Sequence, residues 1–113
     1  MMARGENFFH GKRIDHQEES MNPTRVQGKS IKNILIFTLS TCMWCKKLKN
    51  FLNEKGLEYC YIDMDLLMEP ERGEVLAELK RWNSSVSFPT IVIDQKNCIV
   101  GFDESKIKKV LEL

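Results

Sequence analysis

The sequence predicts an α/β domain with a four-stranded mixed sheet flanked by three helices, in the order β-α-β-α-β-β-α. Short β-branched apolar runs alternate with longer segments whose apolar residues recur at helical spacing. A strand, helix and strand in succession require a parallel pair with a right-handed crossover. Two later strands are separated by a short polar turn, which predicts an antiparallel hairpin.

The first predicted strand, residues 34–37, is apolar throughout, as expected of a central strand that is covered on both faces. The helix after it carries its apolar residues on one face and ends at Gly56, because glycine readily adopts the left-handed conformation of a helix stop. The remaining elements are a strand at residues 57–63, a helix after Pro70, strands at 91–93 and 98–100, and a last helix capped by Asp103 or Ser105.

Length and composition restrict the class of protein. The chain has 113 residues and a formal net charge of +1, so it has room for one domain and shows no bulk charge suited to nucleic acid or an acidic membrane. No apolar run approaches the roughly 18 residues that span a bilayer. The first twenty residues lack the apolar core of a signal peptide, and four cysteines suit a reducing compartment, so we expect a cytoplasmic protein.

Residues 1–30 carry no sustained periodicity, and we interpret them as an N-terminal extension that is mobile or loosely docked. The domain itself is predicted to occupy residues 31–113. In the alternative interpretation, Phe8, Phe9 and Ile14 dock on this domain as an extra strand or a short helix.

Cys42 and Cys45 lie where the first strand meets the first helix, and they are the candidate catalytic residues. The thiolate is the reactive form of cysteine, and the free N–H groups and positive dipole end of a helix N-terminus favour it. Ser40 or Thr41 is predicted to cap this helix. Cys45 follows one turn later, close enough to attack a mixed disulfide at Cys42, which predicts a dithiol–disulfide exchange site.

Three separated motifs occur in this order of elements. They are Cys42-Met43-Trp44-Cys45, Ser87-Phe88-Pro89-Thr90 and Gly101-Phe102-Asp103. Together they resemble the glutaredoxin-like proteins of the thioredoxin-fold superfamily, and the resemblance covers residues 32–113.

The resemblance implies further site residues. Pro89 is expected to follow a cis peptide bond and to face the dithiol, and the backbone of Phe88 is expected to pair with an extended substrate. The Phe102 amide and the Asp103 side chain match the positions that contact the γ-glutamyl end of glutathione in glutathione-using members.

The sequence also departs from the common glutaredoxin pattern. Met43 and Trp44 replace a Pro-Tyr pair between the cysteines, and as neighbours of the dithiol they are candidate substrate-binding residues. Leu39 replaces a basic residue three positions before the first cysteine and cannot pair with the glycine carboxylate of glutathione. Lys46 and Lys47 are candidates to supply that charge and to favour the thiolate.

We therefore predict a thiol–disulfide oxidoreductase that reduces protein or mixed disulfides, with Cys42 as nucleophile and Cys45 as resolving thiol. Its expected partners are disulfide-containing proteins and a reducing thiol or reductase, with glutathione as a candidate reductant and no required cofactor or metal. Neither nucleic acid nor a membrane is an expected partner. One alternative is a carrier of an iron–sulfur cluster held between two subunits through Cys42, and another is a redox-regulated interaction module.

Other residues have structural interpretations. Cys60 and Cys98 are single and on separate predicted strands, so they suit core thiols better than a four-cysteine zinc site. Trp44 either covers the dithiol as an exposed surface or packs on the sheet with the apolar face of its helix.

Overall fold

The computed structural model describes residues 22–113, which form a mixed sheet with helices on both faces. The elements are β1 (Thr24–Val26), β2 (Ile34–Thr38), α1 (Met43–Glu54), β3 (Tyr59–Asp63), a 3₁₀ turn (Met64–Leu66), α2 (Glu71–Trp82), β4 (Thr90–Ile93), β5 (Asn97–Val100) and α3 (Glu104–Leu111). In the described part of the chain, no helix is long and apolar enough to cross a membrane.

The sheet has the strand order β1-β3-β2-β4-β5, with β2 at its centre. β2 and β3 run parallel, as the predicted β-α-β unit requires, and the other neighbouring pairs are antiparallel. Leu35 lies opposite Cys60 on one side and Val92 on the other. This thioredoxin-like architecture confirms the predicted fold class.

The predicted number of four strands is wrong, because β1 adds a fifth. β1 pairs antiparallel with β3, and the Lys29 amide donates to the Gly56 carbonyl at 2.7 Å just beyond it. Three residues are too few to show the alternating pattern of a strand. β1 forms by pairing with the edge of β3 that would otherwise be free. The sheet thus includes part of residues 1–30, while Phe8, Phe9 and Ile14 lie outside the described residues.

Alternate residues of β2 belong to two apolar layers. One layer joins α1 and α3 to the sheet and includes Ile34, Ile36, Leu48, Phe51 and Ile107. The opposite layer, under α2, includes Leu35, Phe37, Cys60, Val75 and Leu79. Because every residue of β2 is buried, the strand is apolar throughout rather than alternating, apart from its last residue.

Two tight connections have the backbone that their sequences favour. Gly56 follows α1 with a φ of +68°, the left-handed conformation that glycine adopts without a Cβ penalty. Asp94 and Gln95 have φ values of +55° and +51°, and the Lys96 amide donates to the Ile93 carbonyl at 3.0 Å. Positive φ at both central residues matches the twist of the β4–β5 hairpin.

The close approach of the β1 connection to the end of α1 can be tested at Gly28. A Cβ at this position would lie 2.7 Å from the Gly56 carbonyl oxygen, so Gly28→Ala should force a backbone shift and cost about 1–3 kcal/mol of unfolding free energy. Gly73→Ala is the matched control, because Gly73 lies in α2 and its added Cβ meets only the flexible Glu69 side chain. We expect this control to be neutral or stabilising by up to about 1 kcal/mol. Urea denaturation measures both, and a Gly28→Ala protein as stable as the wild type would contradict the contact.

Candidate active site

The Cys42 side chain caps helix α1. Its backbone is extended, with φ −85° and ψ 120°, and its sulfur accepts the Cys45 amide at 3.2 Å. The Lys46 amide makes the first helical bond, to the Cys42 carbonyl, at 3.1 Å. A sulfur in this position receives a backbone N–H at the positive end of the helix dipole.

The expected caps, Ser40 and Thr41, do not perform this role. The Ser40 amide donates to Asp65 Oδ1 at 2.8 Å, and its hydroxyl donates to the other oxygen of the same carboxylate. These bonds hold the pKa of Asp65 below its usual range. Ser40 therefore connects the loop before Cys42 to the 3₁₀ turn after β3 and does not cap α1. Cys42 is the N-cap residue instead.

Cys45 is fully buried, in contrast to the half-buried Cys42. Burial raises the pKa of Cys45 to about 12, and a hydrogen bond with the Cys42 side chain acts in the same direction. A backbone hydrogen bond from Leu39 and the charge of Lys49 lower the Cys45 pKa in part. The two thiols thus have different environments: Cys42 is accessible at the helix end, and Cys45 is enclosed behind it.

A cis peptide bond joins Phe88 to Pro89, as the resemblance implied. β2 and β4 are antiparallel, and Thr90 pairs with Phe37. Pro89, the residue before Thr90, therefore lies toward the loop that follows β2, and this loop leads to the dithiol. Pro89 is buried and Phe88 is half-buried.

Asn83 holds the loop that leads to Pro89. Its side-chain amide donates to the hydroxyls of Ser87 and Thr90, each at 3.0 Å, and its carbonyl oxygen accepts the Ser85 amide at 3.1 Å. The side chain is buried, so these bonds satisfy polar groups that water cannot reach.

The third motif lies beside the second. The Gly101 amide donates to the Pro89 carbonyl at 2.7 Å, and Gly101 has a φ of +86°. The Phe102 ring packs edge-on against Phe51 of α1, with 5.9 Å between ring centroids. Asp103 caps α3 by accepting the Lys106 amide at 3.2 Å. The Asp103 carboxylate therefore has a structural role in addition to the binding role that the resemblance implies.

Met43 and Trp44 are exposed next to the dithiol, with 67% and 56% of their surface accessible. The sequence left two interpretations of Trp44, an exposed surface beside the dithiol or packing on the sheet. Its exposure supports the first. Lys47 Nζ lies 4.8 Å from the centre of the Trp44 ring, and Lys46 is exposed beside it. The surface around Cys42 is thus apolar at its centre and positively charged along α1.

The structure brings the three motifs together at one edge of the sheet. It also adds residues that the sequence did not single out: Lys49, Asp63, Asp65 and Asn83. Their contacts span 2 to 25 positions of sequence, and for Asp63 and Asp65 no local pattern indicates the partner. Lys49 had a local signal, since it lies four residues after Cys45.

No group of three or more histidine, cysteine or acidic side chains suited to a metal occurs within residues 22–113. Cys60 is a core thiol whose pKa burial raises to about 11, as expected for a cysteine that behaves as a small apolar residue. Cys98 is half-buried, with its sulfur 3.5 Å from the Trp82 carbonyl. An iron–sulfur cluster shared between subunits through Cys42 stays a prediction.

A parallel β-α-β unit with a dithiol at the helix N-terminus and a cis-proline loop beside it defines a dithiol protein of the thioredoxin fold. The family model for glutaredoxin matches residues 34–98. The chain belongs to the glutaredoxin family.

Relatives support this assignment. The chain is similar to an uncharacterized glutaredoxin-like 8.6 kDa protein in the rubredoxin operon of Clostridium pasteurianum, with 33% identity over 70% of this chain and 97% of that protein. The structure resembles the glutaredoxin of Methanosarcina mazei Go1, with a TM-score of 0.74 and 38% identity over 80% of this chain and 88% of the other. It also resembles the methanoredoxin of Methanosarcina acetivorans, with a TM-score of 0.73 and 40% identity over 76% and 90% of the two chains.

The different environments of the thiols predict an order of alkylation. A brief pulse of iodoacetamide near pH 7 should label Cys42 first, because Cys45 and Cys60 are buried and their pKa values are about 12 and about 11. Labelling of the buried thiols should rise with pH as their thiolate fractions increase. Peptide mapping by mass spectrometry reads the order, and labelling of Cys60 as fast as that of Cys42 would contradict it.

Proposed function

We propose that this protein is a thiol–disulfide oxidoreductase that reduces disulfides through Cys42 and Cys45. The observation that carries the proposal is the Cys42 sulfur at the N-cap of α1, which accepts the Cys45 amide at 3.2 Å while the Cys45 thiol lies behind it. Membership of the glutaredoxin family supports the same chemistry.

The proposed reaction has two steps. The Cys42 thiolate attacks one sulfur of a substrate disulfide, so a bond forms between Cys42 and that sulfur and the second substrate sulfur leaves as a thiolate. Cys45 then loses its proton and attacks the Cys42 sulfur, which releases the first substrate thiol and leaves a Cys42–Cys45 disulfide. The substrate gains two electrons and the protein loses two, and an external donor returns them.

The environments of the thiols suit this division of roles. Cys42 is accessible at the helix N-terminus, whereas Cys45 is enclosed behind it and would attack the Cys42 sulfur once that sulfur is bound to substrate. A buried thiol of high pKa is also slow to react with other disulfides. Cys42 would therefore react with the substrate disulfide, and Cys45 would resolve the mixed disulfide.

We further propose that the substrate lies along the cis-proline loop. There the backbone of Phe88 would pair with an extended segment around the substrate cysteine, and the exposed Met43 and Trp44 would contact its flanking residues. An apolar surface of this kind suits a folded protein partner. Lys46 and Lys47 would steer acidic partners, an attraction that salt should weaken.

For the donor, we propose a reductase in place of glutathione. Leu39 is half-buried, uncharged and three positions before Cys42, so it offers no partner for a glycine carboxylate. The Asp103 carboxylate, which caps α3, already accepts a backbone amide. These two features weaken the contacts that glutathione would need at both of its ends.

The two-cysteine scheme predicts opposite effects at the two positions. Cys42→Ser should abolish turnover of a protein disulfide, whereas Cys45→Ser should retain the first attack and accumulate a mixed disulfide. Turnover assays and intact mass spectrometry measure these outcomes, and trapping from cell extract with Cys45→Ser identifies the substrate. Cys98→Ser is the control, since Cys98 lies on β5 and should keep wild-type activity. Wild-type turnover by Cys45→Ser would overturn the scheme.

The donor proposal predicts that a thioredoxin-reductase system reduces the oxidised protein faster than glutathione does. Leu39→Lys restores a cation at the position before the dithiol and should speed reduction by glutathione severalfold, while Asn50→Lys, an exposed change on α1, should not. The rate of thiol appearance in the oxidised protein measures each reaction. Ready reduction of the wild type by glutathione would show that Leu39 does not decide the donor.

A further inference from the structure

Lys49 lies one helical turn after Cys45 on α1, and residues four apart share a face of a helix. Its ammonium is 3.2 Å from Asp63 Oδ1 and 3.9 Å from the centre of the Tyr61 ring. Only 21% of its side chain is exposed. These contacts hold the cation against the sheet on the side of Cys45, whereas an unrestrained lysine would extend into water.

The anchor of Lys49 is itself fixed. Asp63 ends β3, and its carboxylate accepts the hydroxyl of Thr38, the fully buried residue that ends β2. The two parallel strands pair Thr38 with Asp63 in register. The carboxylate, and with it the ammonium, therefore has a position set by the central strands of the sheet.

Two titratable side chains influence the Cys45 thiol. Cys42 and Lys49 act on it directly, both from α1, and Lys49 is the cation among them. From β3, Asp63 and Tyr61 contact the Lys49 ammonium. Burial opposes a charge on Cys45 and raises its pKa, and the Lys49 cation acts in the opposite direction.

The other lysines near the dithiol have different positions. Lys46 and Lys47 are exposed, and Lys47 lies over the ring of Trp44, away from the sheet. They face solvent, where their charges are screened.

We propose that Lys49, anchored by Asp63 and Tyr61, promotes the resolving step by favouring the Cys45 thiolate. This inference rests on the proposed function and assigns a residue to its second step. Cys45 gives up its proton to solvent, its sulfur bonds to that of Cys42, and the bond from Cys42 to the substrate sulfur breaks. The substrate leaves as a thiolate that takes a proton from solvent, and Lys49 stays protonated throughout.

The two steps can be timed separately with 5,5′-dithiobis(2-nitrobenzoate). Attack by Cys42 releases one coloured thiolate, and resolution by Cys45 releases the second, so the reaction shows two phases. Lys49→Gln removes the charge but keeps an N–H donor for Asp63, and Lys49→Arg keeps the charge. Lys55→Gln is the matched control, because it removes an exposed lysine at the C-terminal end of the same helix.

We expect Lys49→Gln to leave the first phase within about twofold of the wild-type rate. A tenfold loss of thiolate at Cys45 would slow the second phase roughly threefold, because the more basic thiolate is a better nucleophile. The increase of the second-phase rate with pH should move to higher pH in Lys49→Gln. Lys49→Arg should restore both properties, and Lys55→Gln should leave the second phase unchanged.

Equal second-phase rates and pH profiles in Lys49→Gln and Lys55→Gln would overturn the role of Lys49. Equal slowing of both phases by Lys49→Gln, or failure of Lys49→Arg to rescue, would also overturn it by indicating a purely structural effect. The absence of any second release from the wild-type protein would instead reject the proposed function itself. Thermal unfolding of each variant, followed by circular dichroism, shows that the compared proteins are folded.

Discussion

The geometry of the candidate site depends on the burial of β2 between two layers of helices. All five residues of this strand are buried, and its neighbours are β3 on one side and β4 on the other. The chain therefore leaves the sheet at Thr38 with protein on both faces and both sides. The loop that follows emerges among the ends of neighbouring strands, so Cys42 is surrounded by groups from distant parts of the chain.

Hydrogen bonds at this edge of the sheet fix the positions of the loops around Cys42 and Pro89. Asp65 holds the loop before Cys42 through Ser40, and the Pro89 carbonyl accepts the Gly101 amide. Each contact joins segments that are connected to different strands. Loops are the more mobile parts of a fold, and such contacts allow two thiols on a helix end to keep a fixed relation to the cis-proline loop.

Much of this arrangement could be predicted from local sequence. The apolar run of β2, the helical spacing of α1 and the stop at Gly56 specify the β-α unit, and the unit places Cys42 at a helix N-terminus. The sequence does not predict β1, because three residues are too few to show the two-residue alternation of a strand. The cap was assigned to Ser40 or Thr41 because hydroxyls are the commoner caps, and only the distant Asp65 carboxylate explains why the sulfur takes that position.

The sequence by itself determined the fold class, the pair of cysteines at the junction of strand and helix, and the motifs that accompany them, since these follow from periodicity, spacing and residue chemistry within short segments. Only the tertiary structure decided that Trp44 is exposed, that Cys45 is enclosed, and that Lys49 is fixed against the sheet by Asp63 and Tyr61. The physical reason is that burial and ion pairing depend on strand register. Register brings together residues far apart in the chain, and no local pattern records which of them will meet.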